Sequence, residues 1–434
     1  MNKYVNPDGS NFLKQLKEEI YIDKTLYINT INYFINDYDY AYAMYLPRGF
    51  GKTSLANMVL AYISIGANSR ELFSNKKIAN TPDWDINLNK HNVIFVDMEE
   101  IANMGPVEEF FNILENEVIT ELKENFPNVA FDAKDDLIDC ISEINEATGS
   151  RFAFIFDNYD IIFRDEKYKE YREKYLSYLN SIAKNGNFDS CVSLVYFTGI
   201  LPIYTGLHLT TLNNFSTNSL IESHLVEDII GFTEDEVKVI CEKYNSKSDI
   251  NTKVDFEKLK LWYGGYTLED GSTVFNPYAI KTFFDKDEIE YDSIWCNNSL
   301  ELNKKIVLHT ERVDPWKKET DEWFKIKYLN KIVYEILSDG FYNDIINLVD
   351  TGENGDKKNS ISMEPLPVVS SVEYFYNKRD IFNYLIHFGY LAYNPQTREC
   401  FIPNEDIAKD FKRIIGQSTT YINLIRELDK VYLL

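Results

Sequence analysis

Leu46-Pro47-Arg48-Gly49-Phe50-Gly51-Lys52-Thr53 is the stretch from which the fold is read. Tyr40-Ala41-Tyr42-Ala43-Met44-Tyr45 runs into it as an apolar, aromatic strand, and Ser54-Leu55-Ala56-Asn57-Met58-Val59-Leu60 leaves it as an amphipathic helix. Strand, glycine-bearing loop, Lys-Thr and helix form the context that a phosphate-binding loop requires. Small residues let consecutive backbone N–H groups converge on a phosphate at the positive end of the helix. In that role Pro47, Arg48, Gly49, Phe50, Gly51, Lys52, Thr53 and Ser54 make the cradle. Lys52 would reach the β- and γ-phosphates of ATP, and the Thr53 hydroxyl would sit on Mg²⁺. Leu46 stands where such loops usually place their first glycine. The alternative for the same residues is an ordinary strand-to-helix turn with an exposed lysine.

Working outward, Val93-Ile94-Phe95-Val96-Asp97 and Phe152-Ala153-Phe154-Ile155-Phe156-Asp157 are short apolar runs that read as buried parallel strands, the latter ending on a carboxylate. Cys191 to Thr198 is a further strand of the same kind. Helical spacing fills the intervals, with Phe110, Phe111, Leu114, Val118 and Leu122 on one stripe and Leu137, Ile138, Ile141 and Ile144 on another. Strands alternating with helices imply an α/β fold with a parallel sheet flanked by helices on both faces. One strand lies in sequence between the loop and the Asp157 strand, an order that resembles the additional-strand class of phosphate-loop NTPases. In that class the Mg²⁺-orienting aspartate ends the third strand and a polar sensor ends the fourth, places held here by Asp157 and Thr198. Ligands of open α/β sheets bind at the carboxyl ends of the strands, where all three elements fall.

Composition narrows the class. The 434 residues exceed what one simple core serves, so two or three domains are expected. Asp and Glu number 69 against 45 Lys and Arg, a net charge of −24 that repels nucleic acid and anionic lipid where no basic patch overrides it. A protein partner is therefore expected rather than DNA. The five cysteines and five histidines are scattered without metal-ligand spacing, which argues against a zinc site or a disulfide framework and favours a reducing, cytoplasmic setting. Residues 1–24 lack the apolar core of a signal peptide, and no stretch approaches the length of a membrane span.

Further along, Gly231-Phe232-Thr233-Glu234-Asp235-Glu236-Val237 opens a helix, with Thr233 as its N-cap and Glu236 closing a capping box. Trp262-Tyr263-Gly264-Gly265-Tyr266 and Phe275-Asn276-Pro277-Tyr278 punctuate short helices beyond it. Asp350 to Asn359 has loop composition throughout and reads as a flexible insertion. The domains expected are a phosphate-loop core over 1–228, a helical lid over 229–300 and a mostly helical C-terminal domain over 301–434. Sheet and lid would enclose a cleft containing Lys52, Thr53 and Asp157.

These residues together resemble the AAA-ATPase-like proteins often fused to a PD-(D/E)xK-type nuclease domain. Tyr21-Ile22-Asp23-Lys24-Thr25 is similar to the family's Tyr-Val-Asp-Lys-Thr segment, and Pro47 to Thr53 to its Arg-Pro-Arg-Arg-Phe-Gly-Lys-Ser loop, which also lacks the first glycine. Asp157-Asn158-Tyr159-Asp160 resembles Asp-Glu-Tyr-Asp, and Phe197-Thr198-Gly199-Ile200 with Leu212-Asn213-Asn214 resembles the sensor region. Gly231-Phe232-Thr233, Tyr263-Gly264-Gly265-Tyr266, Asn276-Pro277, Gly389-Tyr390-Leu391 and Ile402-Pro403-Asn404-Glu405 match later family elements in order. By this resemblance Tyr21, Asp23 and Thr25 border the base side of the nucleotide cleft; a strand-capping N-terminal arm is the alternative.

Three departures bear on activity. Asn158 replaces the family's Glu, which is expected to polarise the attacking water; an amide can orient water but cannot accept its proton. The Thr-Gly-x-x-Arg arginine is replaced in the stretch Leu201-Pro202-Ile203, with Arg48 as a partial substitute. No nuclease-type Asp and Glu-x-Lys strands follow Asn404. The resemblance thus implies an ATP-binding, nucleotide-dependent switch with slow or lost hydrolysis. An active ATPase using Asp160 or Glu99 as base, and a nucleotide-free protein-binding scaffold, are the alternatives. Oligomerisation stays open.

Overall fold

The computed structural model describes residues 2–37, 40–82, 84–132, 136–183, 188–202, 215–223, 226–247, 253–286, 289–294, 344, 347–349, 359–364 and 378–412. Residues 350–358 of the expected insertion over 350–359, the Leu212-Asn213-Asn214 element and most of 301–434 lie outside them. The chain divides into two compact units, Met1–Phe232 with Leu366–Tyr374, and Thr233–Pro365 with Phe375–Leu434. Residues 229–232 of the expected 229–300 segment belong to the first unit, and its other described residues, with those of 301–434, to the second.

The first unit is built on five strands: β1 (Ala41–Tyr45), β2 (Asn92–Asp97), β3 (Phe152–Asp157), β4 (Val192–Gly199) and β5 (Ser216–Ser219). Their spatial order is β2-β3-β4-β1-β5, and every pairing is parallel. The fold expectation is met: an α/β parallel sheet, with β4 inserted between the loop-bearing strand and the Asp157 strand. Strands β1, β3 and β4 are buried along their whole lengths, which is why they read as unbroken apolar runs rather than alternating ones.

Helices cover the sheet: α1 (Ser10–Gln15), α2 (Tyr27–Phe34), α3 (Lys52–Ile63), α4 (Arg70–Phe73), α5 (Met98–Met104), α6 (Phe110–Asn125), α7 (Leu137–Thr148), α8 (Ile161–Arg164) and α9 (Arg172–Ala183). Helix α3 follows the loop and is buried on nearly every side, from Leu55 to Ile63. Tyrosine abundance has a packing reason. Tyr27, Tyr42 and Tyr196 are fully buried and close-packed, with the Tyr27 hydroxyl 3.0 Å from that of Tyr196 and the Tyr42 hydroxyl donating to Asn218 Oδ1 at 2.8 Å. Their rings supply apolar area while each hydroxyl finds a partner, so burial leaves no orphaned dipole.

The N-terminal arm extends the sheet at its β2 edge. Val5 bridges Ile94 antiparallel, Phe95 N–H donates to the Tyr4 carbonyl and Asn6 N–H to that of Val93, both at 2.8 Å. Glu121 on α6 accepts the backbone N–H groups of Lys3, Tyr4 and Val5.

In the second unit Thr233 and Glu236 form the expected capping box, with Thr233 N–H to Glu236 Oε2 at 2.9 Å and Glu236 N–H to Thr233 Oγ1 at 3.2 Å. Helices α10 (Glu234–Asn245), α11 (Phe256–Tyr263) and α12 (Pro277–Phe284) are joined by a small sheet of β6 (Phe232–Thr233), β7 (Tyr266–Thr267) and β8 (Thr273–Phe275). A second three-stranded sheet contains β9 (Ser360–Ser362), β10 (Ala392–Asn394) and β11 (Glu399–Phe401). These strands are too short for periodicity to mark them, and the helical expectation did not include them. The late sequence elements pin this unit together: Asn404 Nδ2 donates to the Gly264 carbonyl at 2.8 Å and the Tyr266 hydroxyl to that of Gly389 at 2.9 Å.

Candidate nucleotide site

The loop leaves β1 at the carboxyl edge of the sheet. Leu46 N–H is tied to the Gly199 carbonyl at 3.0 Å, so the start of the loop is fixed to the end of β4. Gly49 and Gly51 have φ of 81° and 85°, the left-handed region in which a Cβ is strained. Gly51 is the N-cap of α3 and its carbonyl accepts the Leu55 N–H at 2.9 Å. Pro47 and Phe50 are buried and anchor the turn, whereas Arg48, Thr53 and Ser54 are exposed along its outer side.

Lys52 is only 7% exposed and its ammonium donates to the carbonyls of Leu46 and Pro47 at 2.8 and 3.0 Å. The lysine thus arches back over its own loop. Burial pushes its pKa down to about 8, against the opposing pull of the Asp160 and Asp157 carboxylates. Thr53 Oγ1 donates to Asp157 Oδ2 at 2.5 Å, and Thr198 Oγ1 donates to Asp157 Oδ1. Thr53 of α3 and Thr198 of β4, 104 and 41 positions away in sequence, therefore meet on the one fully buried carboxylate that ends β3. Burial raises the Asp157 pKa; the two hydroxyls oppose that rise and the neighbouring Asp97 adds to it. A buried carboxylate under such strain gains from a nearby cation.

The other sequence candidates separate into distinct roles. Asp160 is fully buried; its Oδ2 accepts the backbone N–H groups of Ile200 and Leu201 at 3.1 and 3.0 Å and pairs with Arg164 Nε at 3.3 Å. It fastens the chain leaving β4 to α8. Tyr159 belongs to the same brace: its ring stacks on Phe197 at 5.4 Å and its hydroxyl donates to the Leu201 carbonyl at 2.7 Å. Asn158, in the left-handed region at φ 55°, donates from Nδ2 to Asp97 Oδ1 at 3.1 Å. Glu99 lies in the first turn of α5, where its N–H bonds Asp97 Oδ1 at 3.0 Å. Asp23 and Thr25 turn to the Lys77–Asn80 turn: Asp23 Oδ2 accepts the Lys77 N–H at 2.8 Å and Thr25 Oγ1 the Ile78 N–H at 3.1 Å. Tyr21 has a buried hydroxyl without a hydrogen-bond partner among the described residues.

Asp97 is the residue that motif reading passed over. It is the register partner of Asp157, at the last position of the adjacent strand. The available signal was the parallel between the two apolar runs, each ending on a carboxylate.

A parallel sheet in the order β2-β3-β4-β1-β5, with a glycine-bearing loop after β1 and an aspartate ending β3, is the α/β architecture of a P-loop NTPase fold. Residues 10–206 match the family AAA-ATPase_like, described as Predicted AAA-ATPase. Among solved structures, the ORC2 protein of Aeropyrum pernix in its ADPNP–ADP complexes aligns with 96% of this chain and 100% of its own. The identity is 10% and the TM-score 0.37, a likeness too remote to speak to function. No curated protein sequence matches the chain.

Proposed function

We propose that the first unit binds ATP with Mg²⁺ and acts as a nucleotide-dependent switch whose hydrolysis is slow. The observation that carries this reading is the meeting of Thr53, Thr198 and Asp157 beside the loop that holds Lys52. A hydroxyl and a carboxylate are the hard oxygen donors that Mg²⁺ takes alongside phosphate oxygens, so Thr53 and Asp157 fit as its protein ligands. The Gly51 backbone supports the cradle: at its φ a side chain is disfavoured, and the nearest atom to an added Cβ would be 4.0 Å away, leaving open space above the turn. Lys52 would exchange its two carbonyl partners for phosphate oxygens. Pro47, Arg48, Gly49, Phe50 and Ser54 complete the loop, and Thr198 holds Asp157 in place while sensing what sits beyond it. Slow turnover follows from Asn158, which has no proton-accepting carboxylate, and from Asp160, whose Oδ2 is committed to two amides and an arginine.

The charge of −24 supports a protein partner rather than nucleic acid. Among the described residues no helix is long and apolar enough to cross a membrane, and Cys140, Cys191, Cys241 and Cys400 are buried and in no disulfide; both support a cytoplasmic setting. Segment 229–300 is the element we assign to reporting the nucleotide state.

Calorimetric titration of the full chain with ATP in Mg²⁺ tests the reading. The expected result is one site per chain, with Lys52→Ala weakening it at least about 100-fold. No heat of binding in the wild type would make the chain a scaffold, and turnover at ordinary ATPase rates, roughly 10 per second, would remove the slow switch.

A further inference from the structure

The ends of β2 and β3 hold an acid and an amide in contact, and the ligand roles given above use neither. Asp97 and Asp157 are register partners on parallel strands, so the Asp97 carboxylate lies one strand over from the carboxylate assigned to Mg²⁺. Asp97 Oδ1 accepts two hydrogen bonds, from Glu99 N–H at 3.0 Å and from Asn158 Nδ2 at 3.1 Å. Among the described residues its Oδ2 has no hydrogen-bond donor, and the residue is half-buried rather than sealed. One oxygen is thus fixed and the other open.

The competing carboxylates are placed differently. Asp160 is fully buried, with one oxygen held by two amides and an arginine and the other closed off within 2.9 Å of where a Gly199 Cβ would stand. The Glu99 carboxylate accepts no hydrogen bond among the described residues that would fix its direction. Only Asp97 is both oriented and open, the combination that a positioned base requires.

Building on the nucleotide-binding reading, we propose that Asp97 is the general base of this site and that Asn158 is its positioning residue, so that acid and amide act as a pair divided between β2 and β3. In the step assigned to it, a water oxygen forms a bond to the γ-phosphorus of ATP. The bond from that phosphorus to the β–γ bridging oxygen breaks, and its electron pair leaves with ADP. The proton of the water passes to Asp97 Oδ2 and is released to solvent with the products. A base displaced by one strand and tied by its other oxygen suits slow turnover.

The test uses the full-length chain, with single-turnover release of labelled phosphate from ATP and Mg²⁺, and ATP affinity by calorimetry. Asp97→Asn keeps the helix cap, because asparagine accepts the Glu99 N–H as aspartate does. It is expected to slow release at least about 100-fold while ATP affinity and thermal midpoint stay at the wild-type values. The double variant Asp97→Asn/Asn158→Asp exchanges acid and amide without changing their size, and both residue types tolerate the left-handed backbone. It is expected to regain release to within about tenfold of wild type, with Glu99→Gln unchanged from wild type. Release from Asp97→Asn at the wild-type rate, a double variant as slow as the single one, or intact ATP binding with no wild-type release at all would each overturn the assignment. Absence of ATP binding in the wild type would instead overturn the nucleotide-binding reading on which it rests.

Discussion

Asp160 sits one short turn past Asp157, and its environment is that of a structural carboxylate. Its Oδ2 gathers the Ile200 and Leu201 N–H groups and the Arg164 guanidinium, which is itself largely buried. Removing one charge of such a pair leaves the other uncompensated, at a cost of about 3–5 kcal/mol. Asp160→Asn should therefore lower the thermal midpoint by many degrees while leaving turnover per folded, ATP-bound molecule within about threefold of wild type. A normal midpoint with turnover reduced 100-fold would place the base at Asp160 instead. Gly199 answers to the same brace, since a Cβ there would come within 2.7 Å of the Tyr159 ring and 2.9 Å of Asp160 Oδ1. The Asp-x-Tyr-Asp stretch stood out in the sequence as a candidate from its residues. The division of labour within it was not legible there, because the two aspartates lie three residues apart, at the end of β3 and the start of α8, and only their partners tell them apart.

At the scale of elements, the N-terminal arm depends on one side chain. Glu121, on the fifth-last position of α6, accepts three consecutive backbone N–H groups from Lys3, Tyr4 and Val5. Charge-assisted hydrogen bonds of this kind contribute roughly 1.5–3 kcal/mol each at most, and sharing one carboxylate reduces the sum. Glu121→Ala should free the arm from the β2 edge, costing about 2–3 kcal/mol and removing amide-exchange protection from Phe95 and Asn6 ahead of the rest of the sheet. Unchanged protection at those two amides would show that the arm holds without it. No sequence signal pointed to this contact, because a glutamate on an amphipathic helix reads as a solvated residue, and its partners lie more than a hundred positions away.

Across the whole molecule, the first unit carries a half-buried histidine that couples its stability to pH. His91 opens the strand region at β2, where Ile65 N–H bonds its carbonyl at 2.9 Å and its Nε2 lies 2.9 Å from Asn87 Oδ1. Burial, with Arg151 and Lys90 adding positive charge, pushes its pKa down to about 4 from 6.5. The folded pKa is the lower one, so the stability associated with neutral His91 is fully present above pH 6.5 and is lost as pH falls to about 4. The loss amounts to about 2–3 kcal/mol at pH 4, of the order of the whole shift. His91→Gln, which has no proton to take up, should show a shallower fall in thermal midpoint between pH 6.5 and pH 4, and equal slopes for the two proteins would exclude the coupling.

What the sequence determined by itself was the parallel α/β sheet and the place of the loop. Both are written locally, in buried apolar runs of strand length and in a glycine-bearing turn that leads into a helix, so a short window is enough to carry them. The capping box at Thr233 and Glu236 is local in the same way. Tertiary structure alone decided which polar groups meet. It set Thr53 and Thr198 on the two oxygens of Asp157, committed Asp160 to Arg164 and two amides, and put Asn158 against Asp97. The reason is physical. Parallel strands bring together residues separated by a whole crossover, so contacts at their carboxyl ends follow from strand order and register, and neither quantity is contained in any one segment of the chain.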